Sequence, residues 1–107
     1  MPPDVAVLRG WGARTVTFGC SRDPSSVADT TRLAETWTGL GGVVLDVVTW
    51  PDTAASWLRQ ARRFTAHGPD AWVVVSTPAG WAGMVGRLTE SPAWDPERTI
   101  VHHAVWC

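Results

Sequence analysis

With 107 residues, 45% of them hydrophobic and 18% charged, the chain has material for one globular domain with a modest core and is not disordered. A net charge of -1 and a pI near 6.2 leave no basic face for nucleic acid. Its longest apolar runs are too short to span a bilayer, so no membrane insertion is expected.

In chain order, Asp4 is positioned to cap a short helix, Val5 to Trp11, that stops at Gly12. Thr15 to Phe18 is the first β-rich run. Asp23-Pro24-Ser25-Ser26 then offers caps for a helix whose Leu33, Trp37 and Leu40 share a face; Gly39, Gly41 and Gly42 end it. Val43 to Val48 is the second run. The next helix starts from Asp52 or Thr53 and carries Ala54, Trp57, Leu58, Ala61 and Phe64 at helical spacing, closing at Gly68-Pro69. Trp72 to Ser76 is the third run. Thr77 is a good N-cap, Pro78 suits the first helical position, and Trp81, Met84, Val85 and Leu88 form the buried stripe of the last helix. Ser91-Pro92 ends it. Pro92 to Arg98 is a loop, and Thr99 to His103 the fourth run.

The four β-rich runs begin 28, 29 and 27 residues apart, counted from Thr15, Val43, Trp72 and Thr99. Each gap holds a helix and is long enough for a parallel crossover. The pattern predicts a single three-layer α/β domain over residues 1–107, with a four-stranded parallel sheet in the order 2-1-3-4. In such sheets ligands sit beyond the carboxyl ends of the strands, where the strand order reverses. The loops there place Cys20, Ser21, Arg22, Ser76, Thr77 and Gly80 on one rim, flanked by Trp50 and His103. Helix amino ends on that rim present N–H groups and partial positive charge to an anion.

Four segments, Gly12-Ala13-Arg14-Thr15-Val16, Gly41-Gly42-Val43-Val44, Pro51-Asp52 and Gly68-Pro69-Asp70-Ala71, follow one another in a familiar order. From Gly12 to about His103 the chain resembles one lobe of the type I periplasmic binding proteins, in particular the branched-chain amino acid substrate-binding proteins of ABC transporters. The resemblance implies non-catalytic binding of a small molecule, of the amino acid or small carboxylate class, without a cofactor. It implies contacts near Pro24, Thr77 and His103 or Ala104. The family often has an aromatic residue at the first of these places and an acidic one at the last, which this chain lacks. A single lobe offers half a cleft, so the resemblance also implies a homodimer or a companion lobe.

Other readings of the same residues stay open. Cys20 lies where a strand runs into a helix, a position at which a thiol can serve as nucleophile in phosphoryl or acyl transfer. Phosphotransferase-system B components carry a phosphorylated cysteine there, but Cys20 to Ser26 lacks their phosphate-wrapping glycines. Ser26 also stands where a Cys-x5-Arg phosphatase needs arginine. The plain alternative is a small buried side chain. His102 and His103 point to opposite faces of a strand, so with Cys20 and Cys107 they do not make a metal site. Ser21, Arg22, Ser76 and Thr77 suit either an anion or ordinary capping. Of the eight tryptophans, Trp81 fits the core stripe and Trp50 is the better pocket candidate; Trp106 could cover an edge or join a partner in a structural subunit. Two cysteines make no disulfide framework. MPPDVAVLRG has neither a basic start nor an apolar stretch, so the chain as written reads as cytoplasmic, or as periplasmic or extracellular if it is a processed fragment.

Overall fold

A computed structural model describes residues 2–102. Its elements are α1 (Pro3–Gly10), β1 (Thr15–Ser21), α2 (Pro24–Gly39), β2 (Val43–Trp50), α3 (Leu58–Thr65), β3 (Ala71–Val75), α4 (Pro78–Leu88), a short 3-10 turn (Pro96–Arg98) and β4 (Thr99–Val101). All strand pairs are parallel, and the sheet runs β2-β1-β3-β4, the expected order.

The sheet separates two cores. On one side Val16, Phe18, Cys20, Val73 and Val75 meet Val5 and Leu8 of α1 and Leu33 and Trp37 of α2. On the other, Val48, Trp50, Trp72 and Val74 meet Ala61 and Phe64 of α3 and Met84 and Leu88 of α4. The central strands β1 and β3 are buried on both faces, which their runs of Val, Phe and Thr require. The α1 and α2 layer, the sheet, and the α3 and α4 layer make the three-layer sandwich.

A bulge in β2 sets which side chains reach which core. Val16 pairs with Val44 and Thr17 with Asp46, so Leu45 is an extra residue. Val44 therefore joins the α2 side while Val48 and Trp50 join the α3 and α4 side. Asp46 faces α3 and accepts from Arg63 Nε at 2.8 Å and Nη2 at 2.9 Å.

Apart from α1, which starts at Pro3 with Asp4 inside its first turn and not capping it, helix ends follow the sequence signals with one exception. Asp23 caps α2, accepting from the Ser26 N–H at 3.1 Å, and Thr77 caps α4, accepting from the Gly80 N–H at 3.3 Å. At the end of α2, Gly41 adopts φ 91°; its N–H reaches Thr38 O and the Gly42 N–H reaches Trp37 O, both at 3.0 Å. A Cβ on Gly42 would lie 2.2 Å from Trp37 Cε2, so the indole occupies the space the glycine leaves.

The exception is α3, which begins at Leu58 and not at Asp52 or Thr53. Asp52 Oδ1 instead accepts the Thr77 hydroxyl at 2.6 Å, and Trp57 turns back to donate its indole N–H to Pro51 O at 2.9 Å. Trp57 also packs over Gly83 of α4, where a Cβ would lie 2.4 Å from its ring. These tertiary contacts hold 52–57 out of the helix. Two smaller differences lie at element ends. Leu40 is 46% exposed, beyond the last turn of α2. Strand β4 ends at Val101, although the His102 N–H still reaches Val74 O at 2.7 Å. His103, Ala104, Trp106 and Cys107 lie outside the described residues.

Among the described residues, no helix is long and apolar enough to cross a membrane.

Candidate functional site

A cavity of about 390 Å³ lies at the carboxyl ends of the strands, between the amino ends of α2 and α4. Chain order explains its place. From β1 the chain leaves through α2 toward β2; from β3 it leaves through α4 in the other direction, toward β4. The two helices start side by side at the point where the order reverses, and a crevice opens between them. Val75 and Val101 line its apolar part, with Pro78 and Trp81 contributed by α4. Its polar wall is Asp23, Ser25, Ser26 and Asp29 of α2, Ser76 and Thr77, and His102 after β4.

The α2 start is a dense hydrogen-bond cluster. The Ser21 hydroxyl, fully buried, donates to Asp23 and accepts the Thr77 N–H at 3.0 Å, so one oxygen links the β1 and β3 exits. Ser25 Oγ also donates to Asp23, at 3.0 Å, and the Ser26 hydroxyl lies 3.1 Å from that of Ser21. The Ser21 hydroxyl foremost, with the Ser26 and Ser25 donors, holds the Asp23 carboxyl well below the usual carboxylate range. Asp23 is therefore a fixed negative charge on the cavity wall.

Across the rim, Ser76 Oγ donates to Thr77 O at 2.9 Å and accepts the Trp50 indole N–H at 2.9 Å. His102 Nδ1 is hydrogen-bonded to Asp4 of α1, which ties the end of β4 to the first turn of that helix. Among the described residues no hydrogen bond joins His102 to a hydroxyl.

The sequence-derived candidates divide. Ser76 and Thr77 line the cavity, and Ser21 lies directly behind it. Gly80 is buried beneath it; a Cβ there would lie 3.0 Å from the Trp50 ring and from Ser76 Oγ, so this glycine serves a close approach and its N–H is held by the cap. Arg22 is exposed and not part of the wall. Trp50 is not a pocket residue: it is fully buried, edge-on to Phe64 at 5.7 Å, while Trp81 lines the cavity in its place. Cys20 is 1% exposed and faces α2, at the floor of a separate groove with Val27, Thr30 and Val47. Burial pushes its thiol pKa up, against the depressed value a nucleophile needs. His103 lies outside the described residues.

Nine of the eleven wall residues lie outside the candidate set, among them Asp23, Asp29, Trp81 and His102. Asp29 was legible as the residue one turn after Ser26 on the same helix face. Among the described residues, no three His, Cys, Asp or Glu side chains gather to hold a metal ion. Compared with models of known protein families and with curated protein sequences, the chain matches none.

Proposed function

We propose that this chain is a non-catalytic small-molecule-binding domain, working like one lobe of a type I binding protein, with its site in the rim cavity. The observation that carries the reading is the cavity's position: about 390 Å³, at the reversal of strand order, walled by two helix starts. Its volume falls in the range of small-ligand sites. Its mixed wall, apolar at Val75, Val101 and Trp81 and polar at the α2 start, suits a ligand with an apolar body and one polar end. The buried, raised-pKa Cys20 speaks against the alternative of a cysteine enzyme.

The cavity opens to solvent on one side. A second copy of the chain closing over it supplies the other half of the cleft in this reading. Differential scanning calorimetry against a panel of amino acids, small carboxylates and small amines tests the binding. A ligand at about a hundred times its Kd raises stability by roughly 2.7 kcal/mol. No stabilisation by any member of the panel, together with a strict monomer by light scattering, removes the reading.

A further inference from the structure

Resting on that binding reading, we propose that the rim cavity takes an organic cation, a primary amine or ammonium on a small apolar body, in preference to a carboxylate or phosphate. Two independent features set the sign of the charge.

The helix starts make a poor anion cradle despite their dipoles. Pro24 and Pro78 have no N–H to offer. The Ser26 N–H is taken by Asp23, the Gly80 N–H by Thr77 Oγ1, and the Thr77 N–H by Ser21 Oγ. Among the described residues only the Ser25 and Ala79 N–H groups, one at each helix start, remain without a partner, too few to wrap a phosphate.

The charged side chains of the wall are acidic. Asp23 and Asp29 both come from α2, and Asp23 stays ionised through its hydroxyl donors. No arginine lines the cavity, and the chain has no lysine. Arg32 pairs with Asp29 from the solvent side, so Asp23, which no cation among the described residues pairs, carries the uncompensated charge of the wall. His102, the remaining base, already has the Asp4 carboxylate at its Nδ1. From α4, Trp81 adds an indole held in place by Trp50 and Trp94, each 6.2 Å away. A carboxylate and an aromatic wall around an apolar space are the elements of amine recognition.

The test is calorimetric titration of the whole chain with three probes of like shape: 2-phenylethylamine, 3-phenylpropanoate and 3-phenylpropan-1-ol. The amine is expected to bind at least about tenfold more tightly than the carboxylate. Asp29→Asn should weaken the amine about threefold and leave the alcohol unchanged, the scale of one partly exposed charge. Trp81→Ala should weaken all three probes. Equal or tighter binding of the carboxylate overturns the cation preference and leaves the binding reading standing. Amine binding that neither substitution alters lies elsewhere and also overturns it. Failure of all three probes up to about 10 mM, where a Kd of ~1 mM would be saturated, overturns the cation preference and, with a silent panel and a strict monomer, the binding reading as well.

Discussion

The indole of Trp50 lies 6.2 Å from that of Trp81, centroid to centroid and tilted by 30°. Trp50 is fully buried and its N–H is satisfied by Ser76; Trp81 is half-buried and lines the cavity. The two rings therefore answer differently to truncation. Trp50→Ala is expected to cost about 3–5 kcal/mol in urea unfolding, the range for emptying a large core site. Trp81→Ala should cost about 1–2 kcal/mol and act mainly on ligand response.

Gly19 is the residue that lets Trp50 enter the core. A Cβ at Gly19 would lie 2.3 Å from Trp50 Cζ3 and 2.6 Å from Phe64 Cε1, inside any tolerable contact. Gly19→Ala is expected to destabilise by about 1–3 kcal/mol, as overpacking does. The cost should shrink in a Trp50→Leu background, giving a coupling of about 1 kcal/mol or more in the double-mutant cycle. Additive effects would mean that the glycine serves the backbone and not the ring.

That contact also marks what the sequence made legible. Regular spacing of four β-rich runs sufficed for the layers and the parallel sense, because each gap could hold only one crossover helix; the order 2-1-3-4 rests on the usual doubly wound arrangement and not on the spacing. Thr77-Pro78 and Asp23-Pro24 carried their helix starts in local chemistry alone. The placement of Trp50 was not local. It depends on the bulge at Leu45, which changes the face of every later residue in β2, and nothing in Val43 to Trp50 announces an extra residue. Gly19, in mid-strand, was the one available sign of a close approach. The start of α3 was lost for a similar reason: Asp52 and Trp57 satisfy partners brought near by folding, Thr77 and Pro51, not their own helix. Asp29 stands one turn from Ser26, but its place on the cavity depends on α2 and β4 meeting at one rim.

Acid should unfold the protein through three aspartates. The Ser21 hydroxyl lowers the pKa of Asp23, the Arg63 guanidinium that of Asp46, and the Arg14 and Thr15 N–H groups that of Asp70. A carboxyl whose folded pKa is lowered stabilises the fold above its unfolded pKa, about 3.9, and loses that contribution as pH falls through the folded value. Stability is therefore expected to fall steadily below about pH 5. Asp23→Asn keeps a capping oxygen and removes the charge. It should be less stable than wild type at pH 7, and the gap should narrow as pH falls from about 5 toward 2, as followed by urea midpoints across that range. Parallel curves would show that Asp23 titrates normally.

Cys20 should resist alkylation in the folded state. Desolvation raises its thiol pKa, with a nearby carboxylate, Asp23, adding to the shift, and the side chain is 1% exposed. In a Cys107→Ser background, modification by iodoacetamide at pH 8 is expected to be at least about a hundredfold slower than in the urea-unfolded chain, since the thiol reacts only through opening. A rate close to that of the unfolded chain would restore Cys20 as a reactive group.

Thr17 supplies the last test, one that works by removing a polar atom. It stands in the middle of β1, fully buried on the α3 side, and its hydroxyl has no hydrogen-bond partner among the described residues. A buried hydroxyl without a partner costs about 1–3 kcal/mol, and valine fills the same shape without it. Thr17→Val is therefore expected to stabilise the protein by about 1 kcal/mol, raising the urea midpoint at constant m-value. A loss of stability would mean that the hydroxyl is bonded after all, to a water enclosed between the sheet and α3, and that this core is wetter than its tryptophans suggest.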